Sequence, residues 1–113
     1  MKDEIIYIES IQENIELIFE FIKWMSSNQY LSDIKTKMAV ERSLENIWEW
    51  VKYLSSDVKK DISENLPWKE MAGMRDILVH DYFYVDDDIV WDVIINKLPE
   101  INNVLIEYIN NLK

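Results

Sequence analysis

The chain has 113 residues, enough for one domain around one hydrophobic core and too few for two ordinary domains. Hydrophobic residues make up 49% of it, which excludes wholesale disorder, and one Gly with two Pro leaves too few turn formers for an all-β fold. The absence of Cys removes disulfides, thiolate chemistry and zinc–cysteine sites together, and a formal net charge of −10 (22 acidic against 12 basic residues) argues against a broadly phosphate-binding surface.

The first amphipathic run carries Ile8, Ile11, Ile15, Ile18, Ile22 and Met25 at alternating helical spacings. It predicts a long helix over about residues 3–28, with Asn28 as its stop. Ser32 or Asp33 can cap a second long helix reaching about Ser55, with Ile34, Met38, Leu44, Ile47, Val51 and Leu54 as its stripe. Trp48 and Trp50 lie about 200° apart on it, so they cannot share one two-helix seam, and one of them is expected to face another subunit.

Residues 57–66 read as a connector with about one helical turn. Pro67 suits the first turn of a third helix running to about Val79, because its missing N–H is unsatisfied there anyway. Inside that helix Gly73 reads as a point of close helix approach, since an interior glycine otherwise costs about 1 kcal/mol. Asp86, Asp87 or Asp88 caps a fourth helix through Asn96, and Pro99 opens a fifth that ends near Leu112. The expectation is an all-α, up-and-down bundle of about five helices, with residues 1–113 as a single domain. MKDEIIYIES lacks the apolar core of a signal peptide and no run approaches a membrane span, so a cytoplasmic protein with no membrane partner is expected.

The excess negative charge sits at the two ends. Residues 1–22 hold one base and six acids, residues 76–113 two bases and eight acids, and residues 23–75 nine bases and eight acids. A local basic surface around the middle of the chain is therefore compatible with the acidic total.

The only histidine is His80, with Arg75 five residues before it. In a regular helix that spacing turns about 140° net, so the two share no face, whereas Asp76 and His80 do. Either the helix ends near His80 and redirects its ring, or a second copy of the chain completes the site. An imidazole can take the proton of a ribose 2′-OH as that oxygen attacks the adjacent phosphate, and a guanidinium can grip the phosphate through two hydrogen bonds. This chemistry needs no metal and no cofactor. Spacing alone fits equally a helix-end Asp76–His80 pair beside a surface arginine, and short motifs have many false positives.

The surrounding residues narrow the choice. Leu66-Pro67-Trp68 opening the helix, then Gly73-Met74-Arg75-Asp76 and His80-Asp81-Tyr82, resemble the signature of the HepT-like group of the HEPN superfamily. The likeness continues into Val90-Trp91 and Leu98-Pro99-Glu100, and back to Glu41-Arg42 and Leu44-Glu45. The resemblance implies a HEPN-type homodimer in which both copies of an Arg-x4-His-x-Tyr motif line one cleft. It implies a metal-independent ribonuclease toxin, with transfer RNA the expected substrate, Arg75 and His80 as catalytic pair and Asp76 orienting them. Tyr82 matches the tyrosine to which a cognate minimal nucleotidyltransferase antitoxin adds AMP, silencing the toxin. One departure stands out: relatives often read Ile-Gly-Glu-Ala where this chain has Ile47-Trp48-Glu49-Trp50, and bulk there bears on assembly or RNA access. The other reading within the same family is a non-catalytic binding subunit that partners a nucleotidyltransferase.

Other features have simpler readings. Asp81, Asp86, Asp87 and Asp88 fit a capped, solvated helix start better than a divalent-metal site, and no metal is expected. The tryptophans fit core and interface anchors better than base-stacking platforms.

Overall fold

The structure is a computed structural model that describes the backbone of residues 2–80 and 86–112, with side chains over 4–74 and 86–112. Seven α-helices follow in chain order among these residues, with no strand: α1 (Lys2–Phe21), α2 (Ser27–Ser32), α3 (Ile34–Tyr53), α4 (Ser56–Ile62), α5 (Trp68–His80), α6 (Asp87–Asp92) and α7 (Leu98–Leu112). A π-helical turn, Val93–Lys97, joins α6 to α7. The expected all-α bundle is thus present, built on α1, α3, α5 and the α6–α7 run, with α2 and α4 as short additions.

The isoleucine stripe of α1 behaves as its spacing dictates: Ile8, Ile11, Ile15 and Ile18 are fully buried and Ile22 nearly so. Burying such a side chain contributes about 1.5–3 kcal/mol, so this one face supplies a large share of the core. The helix stops earlier than its hydrophobic pattern. Trp24 adopts a left-handed φ of 68°, a conformation that favours glycine, and Met25 N donates to Ile22 O at 2.9 Å. A new helix then opens on a capping box. Ser26 Oγ accepts from Gln29 N at 3.2 Å while Gln29 Oε1 accepts from Ser26 N at 2.8 Å. Asn28 therefore lies inside α2 and is not a helix stop.

Asp33 caps α3 as expected, its carboxylate accepting from Thr36 N at 3.1 Å. The buried face of α3 is Val40, Leu44, Ile47, Trp48 and Val51, with Leu54 just beyond. Ile34 and Met38 are instead 70% and 65% exposed. Six residues separate Met38 from Leu44, a rotation that ends about 120° off the Leu44 direction, so the apparent stripe crosses from one face to another.

The tryptophans divide as their angular separation requires. Trp48 is buried in the core, while Trp50 is half-buried and stacks on Tyr7 of α1, centroids 5.2 Å apart and planes 18° apart. Both rings find their packing within this chain.

The 57–66 connector contains more helix than expected. Ser55 caps α4 by accepting from Val58 N at 3.2 Å, and Glu4 of α1 accepts from Ser55 N at 2.6 Å. At the other end of the chain, Pro99 does not open a separate helix. Leu98 N donates to Val93 O, five residues back, and the helix continues through the proline. A proline inside an α-helix clashes with the carbonyl four residues before it; the wider π-turn gives that carbonyl room.

The long helices share one core. α3 packs against both α1 and α5, α7 lies against α1, α2 connects α3 to α6, and α4 rests on α7. Asn102 of α7, 5% exposed, reaches across to α1, where its Nδ2 donates to Glu16 Oε1 at 2.8 Å. A buried amide with a carboxylate partner is satisfied, and it fixes the register of α7 on α1.

Gly73 does not mark a close approach among the described residues. A Cβ built there meets no described atom within 4 Å, and the residue is exposed. Gly73→Ala should therefore stabilise the protein by about 0.5–1 kcal/mol through helix propensity, raising the thermal midpoint by a few degrees. A fall in the midpoint would show that the position is needed for close packing after all.

Candidate active site

The candidate residues Arg75, Asp76 and His80 all lie on α5, which remains helical through His80. Positions 75 and 80 are thus separated by about 140° of helical rotation, and positions 76 and 80 share a face by register. The side chains of all three, and Tyr82 altogether, lie outside the described residues. What the structure describes is the frame that holds this segment at both ends.

The leading end of α5 is anchored by its own sequence. Leu66 is buried, Trp68 Nε1 donates to Ser63 O at 2.9 Å, and Met71 N donates to Pro67 O at 2.9 Å. The indole bond folds the connector back on the first turn of the helix, so the Pro67–Trp68 pair both starts α5 and sets its entry direction. Met71, 4% exposed, then carries α5 into the core.

Beyond residue 85 the chain is caught again at once. Asp86 caps α6, one carboxylate oxygen accepting from Asp88 N at 3.0 Å and from Ile89 N at 3.4 Å. Asp87 Oδ2 pairs with Lys37 Nζ of α3 at 3.1 Å, with both side chains about three-quarters shielded from solvent. Tyr30 of α2 is fully buried against Trp91 of α6, with ring centroids 5.1 Å apart. Two of the aspartates weighed as metal ligands therefore have structural duties, one as a cap and one as an ion-pair partner. Among the described residues no group of three or more His, Cys, Asp or Glu could hold a metal ion, and no helix is long and apolar enough to cross a membrane.

Lys37 was missed in the sequence because its partner lies 50 residues away and nothing local marks it. The pair sits in an acidic neighbourhood. Burial raises Glu41 above its ordinary carboxyl value, and Asp87 and Glu45 add to that while Lys37 opposes it. Burial, then Asp87 and Glu41, push the Tyr30 phenol far above its usual range, so it stays protonated. Among the described residues the Tyr30 hydroxyl finds no hydrogen-bond partner. Glu41 and Asp87 thus flank the Lys37 ammonium at the α2–α3–α6 junction, which holds the chain where it leaves the segment that carries Tyr82.

The raised value of Glu41 has a definite sign. The fold favours its neutral form, so the stability this group contributes is present below its unfolded-state value and is lost as pH rises through the folded one. At neutral pH the ionised carboxylate is a liability, and Glu41→Gln should melt higher than the wild type there. The difference should close as pH falls through the raised folded-state value and be gone below about 4, the ordinary glutamate range, which melting curves at several pH values would check. A difference independent of pH would contradict this.

Comparison with known proteins gives the same segment a family. The family described as "Ribonuclease HepT-like" matches residues 11–108. The chain is 43% identical over 98 residues to "Putative RNase MJ0127" of Methanocaldococcus jannaschii, covering 87% of this chain and 80% of the other. It is 42% identical over 95 residues to "Probable ribonuclease HepT" of Thermococcus cleftensis, covering 84% and 86%. It is 37% identical over 107 residues to "Putative RNase TTE0752" of Caldanaerobacter subterraneus subsp. tengcongensis, covering 95% of each. No solved structure matches. The match spans α3, α5, α6 and nearly all of α7, and so includes the whole frame around Arg75 and His80; this chain belongs to the HepT-like ribonuclease family of HEPN proteins.

Proposed function

We propose that the protein is a metal-independent endoribonuclease, the toxin of a toxin–antitoxin pair, acting on RNA and most naturally on transfer RNA. The observation that carries this reading is the Arg75-x4-His80-x-Tyr82 motif on α5, inside a family match that runs from residue 11 to residue 108. His80 acts as general base on the ribose 2′-OH, and as the 2′ oxygen attacks phosphorus the 5′ oxygen leaves, taking a proton. Arg75 binds the non-bridging phosphate oxygens and stabilises the charge that grows on them. Asp76, on the His80 face of the helix by register, orients the imidazole.

The α5 geometry supports a site shared between two copies. Residues about 140° apart on one helix converge poorly within a single chain, but two helices that meet about a two-fold axis can present Arg75 from one and His80 from the other. A homodimer with both motifs in one cleft answers that constraint. Control comes from a cognate nucleotidyltransferase that transfers AMP from ATP to the Tyr82 hydroxyl, releasing pyrophosphate. The added phosphate places negative charge two residues from His80 and repels the RNA backbone.

A second reading, a non-catalytic subunit that partners such a nucleotidyltransferase, is favoured by one observation, the net charge of −10. Incubation of the purified protein and of His80→Ala with total transfer RNA in EDTA separates the two. The nuclease reading expects fragments from the wild type and at least a ~100-fold loss in the variant, the range for removal of a general base. Equal cleavage by both would remove the proposed site, and no cleavage by a folded, AMP-free protein would favour the binding subunit. Treatment with the nucleotidyltransferase, ATP and Mg²⁺ before the EDTA assay should silence the wild type and leave Tyr82→Phe active.

A further inference from the structure

α1 is apolar on two sides. The stripe from Ile8 to Ile22 faces the core, and a helix with nothing else to cover is polar opposite such a stripe. Here the far side carries Ile6 and Leu17, 62% and 47% exposed, which eleven residues bring to within about 20° of each other around the helix. Phe21, one turn after Leu17, is 37% exposed, and Trp24, just past the end of α1, is 90% exposed. Single exposed apolar residues are ordinary, but Leu17, Phe21 and Trp24 follow one another at one end of a single helix.

Trp24 is an expensive residue for its position. Its left-handed φ of 68° suits glycine and strains a bulky side chain, and a ring so exposed contributes little packing to the fold. Lys23 Nζ lies 5.8 Å from the ring centroid, so the indole already attracts one cation and leaves most of its surface open. The charges around the row select the same sign. Glu13 sits one turn before Leu17, Glu16 and Glu20 border it, and all three are exposed. Lys2 is the sole base among residues 1–22, against six acids.

We propose that the outer face of α1, from Leu17 through Phe21 to Trp24, docks a basic amphipathic helix of another protein. The partner's apolar side chains cover Leu17 and Phe21, while its lysines or arginines meet Glu13, Glu20 and the open face of Trp24. Charge decides against the other occupants. RNA is repelled by the glutamates, and a two-fold contact between copies of this face would set the same glutamates against one another. Shape decides for a helix, because side chains at i and i+4 form a ridge that a facing helix packs around. The surface uses no residue of α5, so it stands apart from the ribonuclease reading.

The probe is a synthetic amphipathic helix of about 18 residues with leucines on one face and lysines on the other, long enough to hold helical form. Two controls share its length: one replaces the leucines by serine, the other the lysines by glutamate. At 0.15 M salt, where long-range attraction is screened beyond about 8 Å, the leucine–lysine helix should bind the full chain saturably. It should move the Trp24 indole signal in a proton–nitrogen correlation spectrum, that signal being identified by its loss in Trp24→Phe. Both controls should bind at least about tenfold more weakly, as should the Leu17→Ser/Phe21→Ser and Glu13→Gln/Glu20→Gln variants, whose exposed positions leave the core untouched. Trp24→Gly should lose affinity while melting a few degrees higher, since glycine relieves the strained backbone. An unmoved Trp24 signal, a serine–lysine helix bound as tightly, or full binding by Leu17→Ser/Phe21→Ser would each overturn the proposal. So would transfer RNA that moves the Trp24 signal, or a Leu17→Ser/Phe21→Ser variant of half the wild-type mass in solution, which would give the face to a second copy.

Discussion

The fold depends on α3 being apolar on a face broad enough to serve two neighbours. Val40, Leu44, Ile47 and Val51 are fully buried and Trp48 nearly so, and the helix that carries them packs on both α1 and α5. On one of these contacts the α1 isoleucines bury their stripe; on the other, α5 is held in place through Met71. The frame of the candidate site follows from this arrangement. Lys37 near the start of α3 pins α6 through Asp87, and Trp48 further along lines a pocket with Met71 and Met74 of α5. One helix therefore governs both ends of the segment that bears Arg75, His80 and Tyr82.

Much of this was legible in the sequence wherever the signal was local. The Ile8-to-Ile22 stripe has a strict helical period and packs accordingly, and Asp33 caps α3 because its carboxylate needs only the next turn's N–H. The family was legible for another reason: Pro67–Trp68 and Gly73–Met74 beside the Arg75-x4-His80 spacing supply a context that a bare spacing lacks. Ile34 and Met38 mislead because the six-residue step to Leu44 rotates them off the buried face. Asn28 misleads because the Ser26–Gln29 capping box opens a new helix just ahead of it. Pro99 read naturally as a helix start, yet the π-turn before it makes room for the ring in a continuing helix. The Lys37–Asp87 pair arises only when distant segments meet, so no reading of local pattern would find it.

The two tryptophans of α3 have a structural account. Trp48 is buried in the core and Trp50 stacks on Tyr7, so their bulk is absorbed on two sides of the helix. The acidic total is distributed in a similar way, concentrated at the two ends of the chain while residues 23–75 stay near neutral. A locally permissive middle is what a phosphate-binding site in a −10 protein requires.

The central claim is that α5 presents Arg75 and His80 on different faces, so that two copies together make each site. Subunit mixing tests it most directly: Arg75→Ala and His80→Ala proteins, each inactive alone, are unfolded together, refolded as mixed dimers and assayed on transfer RNA. A shared site predicts recovery of about a quarter of wild-type activity, since half the dimers are mixed and each of these holds one intact Arg75–His80 pair. A mixture as inactive as its parents, with mixed dimers shown to form, would contradict the account and place both residues of each site in one chain.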